Sequence, residues 1–216
     1  MFPLFLDMTN RLALVVGGGT VGRRKAGALL QAGARVRLVC LESRPADQDN
    51  SRLEWLQEPY YLEHLQGICL VCAATNSDVN QQVATDARRL KIWINLADDP
   101  IAGDFIVPAV LRRGELAIAV STGGASPGLA QAIRDWLQEQ LDDAFEKFVL
   151  LLAELRPLVL QRIKDEEIRQ ALFRHLRGPH WLDRLRKEKM EQVRQAMLME
   201  IQRAETTHPL AGSSLQ

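Results

Sequence analysis

The chain has 216 residues, with 27 Lys plus Arg against 27 Asp plus Glu and a hydrophobic fraction of 47%, enough for one or two domains with a full core. The charges also balance by region, 13 of each sign in residues 1–120 and 14 of each in 121–216, so no basic field exists to hold nucleic acid or an anionic membrane surface. No apolar run approaches the roughly 20 residues of a membrane span, and the start, MFPLFLDMTNR, lacks a basic segment ahead of a long apolar core, so a cytoplasmic chain without a secretory leader is expected.

The first element is a β-prone run, Leu12–Val16, that enters Gly17-Gly18-Gly19 and leaves into helix-compatible sequence. Gly17, Gly19 and Gly22 have the spacing of a dinucleotide-binding turn. Its glycines serve a tight turn, close approach of backbone to a pyrophosphate, and close helix–strand packing. The helix predicted over 20–32 aims free N–H groups and its positive dipole end at the phosphates. Val21, Leu29 and Leu30 are placed to pack on a sheet, and Gly33 suits the position after the helix.

A second strand is predicted over Val36–Cys40. The acidic partner of a ribose belongs about 20 residues after the glycines, and Glu42 stands there, favouring NAD. Arg44, two residues on, is the competing feature, since it suits a 2′-phosphate. A poorly defined strand or strand and turn falls within Leu53–Leu62, and a further strand is predicted over Ile68–Ala73. That run contains Cys69-x-x-Cys72. In a strand, residues three apart point to opposite faces, so the two sulfurs are expected to diverge as ordinary buried residues. No second Cys or His pair completes a metal set: His64, His175, His180 and His208 are scattered, and no metal site is predicted.

A helix fits Asn76–Leu90, with Val79, Val83, Ala84, Ala87 and Leu90 at helical spacing, and Thr75 or Asn76 can cap it. A strand follows at Ile92–Leu96. This alternation predicts an α/β fold with a Rossmann-type, doubly wound parallel sheet. After the last strand comes an acidic cluster, Asp98, Asp99 and Asp104, where an open α/β sheet binds ligands. Carboxylates held together raise one another's pKa, so one of them is expected to serve as a base near neutral pH. The cluster could also hold a divalent metal ion, and a turn at Asp99-Pro100 explains the same residues without chemistry.

Beyond residue 104 the pattern changes. Phe105–Leu111 and Leu116–Val120, joined through Gly114, predict an antiparallel hairpin, with Pro108 at an edge or bulge. The turn Ser121-Thr122-Gly123-Gly124-Ala125-Ser126-Pro127 can present backbone amides to a carboxylate, or serve only as a helix cap. Helices are predicted from Ser126 onward, then over Ala144–Leu155, Asp165–Leu176 and Trp181–Arg203, with a disordered tail over 206–216.

Taken together, VVGGGTVGRRKAGALLQAGARVRLV, AATNSDVNQQVA and INLADDPIAGDFIVPAVLRRGELAIAVSTGGASPGLA resemble the precorrin-2 dehydrogenase / sirohydrochlorin ferrochelatase family, the dehydrogenase-chelatase module of siroheme synthase. The resemblance covers about residues 3–145. It implies an NAD-binding Rossmann domain over 1–112, a central dimerisation region over 113–145 and a helical domain over 146–205, working as a homodimer. It implies NAD-dependent oxidation of precorrin-2 to sirohydrochlorin, with Fe²⁺ (or Co²⁺) insertion as a second activity in some members, the metal being substrate rather than resident cofactor. The methyltransferase module of some relatives has no counterpart here, so methylation is expected from a separate protein.

By the same resemblance Asp98 is the residue tied to catalysis, and Thr122 lines the same cleft. Thr20, Val21, Leu41 and Glu42 map onto cofactor contacts, and they join Gly17, Gly19 and Gly22 of the glycine turn and Thr75 at the end of the Ile68–Ala73 strand as the expected cofactor-binding set. Asp104 is kept as a further catalytic candidate from the acidic cluster. The substrate is a polycarboxylate, which suggests Arg23, Arg24, Arg112 and Arg113, with Gly123, Gly124 and Ser126, as its contacts. The rival readings are a non-catalytic NAD sensor and a scaffold that hands a tetrapyrrole to another enzyme; both predict binding without turnover.

Overall fold

The computed structural model describes residues 1–45, 50–99 and 101–207. It divides into two compact units, Met1–Val107 and Pro108–Gln216. No helix among the described residues is long and apolar enough to cross a membrane.

The first unit is built on five parallel strands: β1 (Leu12–Val16), β2 (Arg35–Cys40), β3 (Leu53–Gln57), β4 (Leu70–Ala73) and β5 (Trp93–Leu96), in the order β3-β2-β1-β4-β5. The chain winds outward one way through β2 and β3, then returns to the other side of β1 with β4 and β5. The topological switch therefore lies between β1 and β4, where open α/β sheets bind ligands at the strand carboxyl ends. The registers Val16↔Val39 and Val16↔Ala73 bring the ends of β1, β2 and β4 level.

Strand alternation sorts the side chains into two layers. Ala13, Val15, Val36, Leu38, Leu70 and Cys72 pack with Ala26 of helix α1 (Thr20–Gln31), while Leu14, Val16, Val71, Ala73, Ile94 and Leu96 pack with Val83, Ala84 and Ala87 of helix α2 (Ser77–Arg89). A 3-10 turn, Leu62–Leu65, adds Leu65 to the second layer. Strand β4 begins at Leu70, so the alternation expected to part the two sulfurs does not yet hold at Cys69. Its side chain packs against the α1 layer, the layer that contains Cys72. Both cysteines are free thiols.

The second unit opens with the expected hairpin, β6 (Ala109–Arg113) and β7 (Leu116–Val120), paired from Ala109↔Val120 to Arg113↔Leu116. Gly114 takes φ +53° in its turn, and Pro108 stands just ahead of β6. Five helices follow among the described residues: α3 (Pro127–Gln140), α4 (Asp143–Arg162), α5 (Glu166–Leu176), α6 (Pro179–Lys187) and α7 (Met190–Thr207). Ser126, Asp142 and Asp165 cap α3, α4 and α5 through side-chain oxygens.

Two helix predictions are corrected here. α4 runs a full two turns past Leu155, through Pro157, because Leu155 and Val159 on either side of the proline are fully buried; their burial offsets the backbone bond that proline cannot donate. The single helix expected over Trp181–Arg203 is instead two. Glu188 ends α6 in an extended conformation, its carboxylate held by the Arg184 guanidinium, and the Gln192 side chain accepts from the Lys189 N–H to start α7. The break lets Trp181 and Leu185 on one segment, and Val193, Met197 and Ile201 on the other, all enter one core with Leu151 and Leu155. Thr206 and Thr207 belong to α7, and the rest of the tail, 208–216, lies outside the described residues, as does Pro100.

Candidate active site

The glycine turn occupies the carboxyl end of β1. Gly17 has φ +112°, and a Cβ there would stand 2.2 Å from the Ala74 carbonyl oxygen after β4; a Cβ on Gly22 would stand 1.9 Å from the Gly17 oxygen. Both glycines are thus fixed by internal packing of strand, turn and helix. Gly18, outside the motif, is constrained as well: its Cβ would come within 2.6 Å of the Cys40 sulfur and 2.9 Å of Glu42 Oε2. Gly19 differs, because nothing lies within 4 Å of the Cβ it lacks. It caps α1 without a side-chain bond, and no acidic residue occupies the first turn. The exposed backbone of Gly19, Thr20 and Val21 therefore leaves the positive end of α1 open to an anion.

Glu42 stands beside this turn, and its backbone is held from the neighbouring strand. The Trp55 indole N–H donates to the Glu42 carbonyl at 3.0 Å and the Gln57 amide to the Leu41 carbonyl at 3.2 Å. The thiol of Cys40 also donates to Glu42 O at 3.3 Å, and burial pushes that thiol up to about 11. Burial does the same to Cys72, so neither carries the thiolate that redox chemistry needs.

After β4 and β5 the two loops are joined by one residue that the sequence reading passed over. Asn80, on α2, is fully buried. Its side-chain oxygen accepts from the Thr75 N–H at 3.1 Å, and its amide donates to the Thr75 carbonyl at 3.3 Å and to Asp98 Oδ1 at 2.8 Å. Ser77 Oγ donates to the other Asp98 oxygen at 3.0 Å. The available signal was an asparagine on the apolar face of α2, in helical register with Val83, Ala84 and Ala87.

Asp98 is exposed at the strand end, and its pKa is lowered. Desolvation acts to raise it, but donation from Asn80, from its own backbone N–H, from Ser77 and from the Asp99 N–H outweighs that. This corrects the expectation of carboxylates raising one another. Asp99 turns its carboxylate to the Ala102 N–H at 3.1 Å. Asp104 is spent elsewhere: its N–H donates to the Ile94 carbonyl at 2.7 Å and its carboxylate accepts from the Ile94 N–H at 2.9 Å, which clamps the free edge of β5. The same residue lines a shallow cavity with Arg88, Lys91 and Trp93, at the opposite end of that strand from Asp98. Asp104 is not brought together with Asp98. Among the described residues no three His, Cys, Asp or Glu side chains form a group that could hold a metal.

Lys25 crosses the sheet from α1 to donate to Asn95 Oδ1 at 2.6 Å, and Asn95 donates in turn to the Phe105 carbonyl. Burial lowers the Lys25 pKa. Arg23, on the same helix, is half-buried.

In the second unit, the 121–126 turn spends its hydroxyls on itself. Thr122 Oγ1 accepts from the Ser126 N–H at 2.9 Å and donates to the Ser126 carbonyl at 3.0 Å; Ser121 Oγ accepts from the Gly123 N–H and Ser126 Oγ from the Leu129 N–H. Gly123 and Gly124 take φ +64° and +92° with open space around them. The turn can offer backbone amides, whereas the Thr122 proton is already committed. Arg112 is exposed. Arg113 donates to the carbonyls of Leu141 and Gln138 at the end of α3, which makes it a helix cap.

Comparison with known proteins adds a lineage to this geometry. A family model described as "Putative NAD(P)-binding" matches residues 4–109, and one described as "Sirohaem biosynthesis protein central" matches residues 113–140. A siroheme synthase of Nitrosomonas eutropha is 37% identical over 82% of this chain and 39% of its own length. A siroheme synthase of Xylella fastidiosa is 35% identical over 99% of this chain and 45% of its own. The chain thus spans less than half the length of these relatives. A solved structure described as "SirC, precorrin-2 dehydrogenase" superposes with a TM-score of 0.71 at 26% identity, over 94% of this chain and 100% of that one.

Proposed function

The chain belongs to the siroheme synthase family through its NAD(P)-binding and central parts, and from that premise we propose that it oxidises precorrin-2 to sirohydrochlorin with NAD⁺ as the hydride acceptor. The observation that carries the proposal is an ionised Asp98, held by Asn80 and Ser77 at the same end of the sheet as the open glycine Gly19. Bound NAD⁺ supplies a place for the hydride. Gly19, Thr20 and Val21 receive the pyrophosphate at the α1 N-terminus, Leu41 and Glu42 receive the adenosine ribose, and Thr75 flanks the cofactor at the end of β4.

The reaction takes a hydride and a proton from the substrate, and Asp98 takes the proton. Departure of the hydride leaves positive charge on a conjugated macrocycle, which makes the remaining proton acidic. A carboxylate of low pKa is then base enough, and its charge stabilises the developing cation. In the first unit Arg23 is assigned to substrate carboxylates and Asp104 is not; in the second, Arg112 and the amides of Gly123 and Gly124 are each candidates for an anion, and Arg113 is not. The working unit is taken as a cytoplasmic homodimer, for which exposed Leu129, Ile133 and Trp136 on α3 provide apolar surface.

The test is anaerobic turnover of precorrin-2 with NAD⁺, followed through NADH and sirohydrochlorin absorbance. Asp98→Asn is expected to lower kcat by about 100-fold or more, the scale of a lost general base, with KM for NAD⁺ little changed. Because its pKa is lowered, wild-type activity stays flat through neutral pH and falls only on the acid side. NAD⁺ binding with no NADH formed refutes the dehydrogenase and supports the sensor reading; full activity of Asp98→Asn removes Asp98 from the mechanism.

A further inference from the structure

Asp98 carries an exposed carboxylate on a loop, yet both of its oxygens are held by α2. Of the two holders, Ser77 lies in the first turn of the helix and is exposed, whereas Asn80 is wholly buried. A buried amide costs stability unless its donors and acceptor are matched, and the partners of Asn80 are divided between two loops: the Thr75 backbone after β4 and the Asp98 carboxylate after β5. Only one orientation of the amide serves them. The oxygen must face the Thr75 N–H, and the NH₂ must face Thr75 O and Asp98 Oδ1. A carboxylate at that spot offers an acceptor to each donor, Oδ1 to the Asn80 NH₂ and Oδ2 to the Ser77 hydroxyl, in either orientation. Leucine at position 80 would satisfy the apolar face of α2 equally well, so packing does not explain the residue.

We propose that Asn80 is a positioning residue of the reaction, aiming Asp98 at the substrate and tying it to the Thr75 backbone that flanks the cofactor. This rests on the reading of Asp98 as the reacting carboxylate. Binding at the Thr75 loop and orientation of Asp98 then depend on one side chain, so the two sites are set together. The groups that act on the Asp98 charge are Asn80 and Ser77 from α2 and the N–H groups of 98 and 99 from its own loop; the nearest acid in sequence, Asp99, is bonded to Ala102.

Asn80→Asp is the sharpest variant, since it keeps the oxygen that accepts from the Thr75 N–H and replaces the NH₂, which donates to Asp98 and to the Thr75 carbonyl, with a carboxylate oxygen. The measurement is the ¹³C titration of the Asp98 carboxyl in labelled protein, assigned by its loss in Asp98→Asn, alongside kcat and KM. The Asp98 midpoint is expected to rise by about one unit or more, with the acid limb of the pH–rate profile following it. kcat should fall about tenfold while KM for NAD⁺ changes less than about threefold. Asn80→Ser, which also cannot reach Asp98 with a donor, shifts the Asp98 midpoint in the same direction if the charged variant does not fold, and loses the Thr75 tie as well. An unmoved Asp98 midpoint overturns the positioning role whatever the rates do. A midpoint that moves while Asp98→Asn retains full activity leaves the tether established and refutes the catalytic reading of Asp98 instead.

Discussion

Gly19 and Gly22 sit three residues apart in the same turn, and alanine at the two positions should fail in different ways. A Cβ at Gly22 would lie 1.9 Å from the Gly17 carbonyl oxygen and 2.9 Å from its carbonyl carbon. An ordinary carbon–oxygen contact is more than 1 Å longer, so α1 must retreat from β1 by about that much, and the obstacle is backbone that cannot rotate away. Forced overpacking of this kind costs about 1–3 kcal/mol, occasionally more. For a unit of this size each kcal/mol moves Tm by about 4–8 °C, so Gly22→Ala should melt roughly 5–20 °C below wild type. Gly19 has φ −68° and ψ −178°, a conformation open to any residue, and meets nothing within 4 Å. Gly19→Ala therefore loses only the modest preference of a helix N-cap for glycine over alanine, under about 1 kcal/mol. On the proposed placement of the pyrophosphate its new methyl stands in the way of the phosphates, and NAD⁺ affinity should fall about tenfold or more. Thermal melts and calorimetric titration with NAD⁺ read both quantities. Wild-type NAD⁺ affinity in Gly19→Ala would refute the placement of the phosphates, and an unchanged melt in Gly22→Ala would refute the packing argument.

Two further substitutions test assignments at the edges of the site. Glu42→Ala removes a carboxylate that would face a 2′-phosphate; at about 4 Å in water's dielectric a doubly charged phosphate is repelled by roughly 2 kcal/mol, so the ratio of NADP⁺ to NAD⁺ affinity should rise about tenfold or more in parallel titrations. A ratio unchanged within about twofold would show that Glu42 does not face the ribose. Arg113→Met should lower Tm by a few degrees, since a cation at a helix C-terminus contributes about 0.3–1 kcal/mol, and leave KM for the tetrapyrrole unchanged. A raised KM with an unaltered melt would return Arg113 to the substrate.

The parallel sheet and the glycine turn were legible in the chain because both are written locally. Runs such as Leu12–Val16 and Ile92–Leu96 have no alternative use for their apolar residues, and Gly17 and Gly22 answer to atoms within the same unit. What escaped the reading depends on partners distant in sequence. Asn80 looked like one polar residue among several in Asn76–Gln82, and its meaning comes from Asp98, 18 positions away. Asp104 looked like a third member of an acidic cluster, yet the chain folds it back along β5 to bond Ile94. Arg113 looked like a free surface cation until α3 ended against it. The α6–α7 break has a similar origin, since uninterrupted helical spacing from Trp181 to Arg203 carries no breaker, and the turn at Glu188 is dictated by a core that both segments must enter.

The donors around Asp98 hold its carboxyl below the ordinary carboxylate range, which agrees with its geometry in the proposed reaction. A base that must pull a proton from a neutral carbon needs a pKa near the working pH, and clustering of acids would have supplied it. The fold does the reverse, surrounding Asp98 with donors from Asn80, Ser77 and two backbone N–H groups. Such a carboxylate is a poor base and a strong, permanent negative charge. In the proposed reaction it would take its proton from a substrate made acidic by hydride loss. In that reaction, proton transfer to Asp98 then follows or accompanies hydride transfer. An Asp98 paired with Asp104 would permit the opposite order, and the clamp of Asp104 onto Ile94 removes that option.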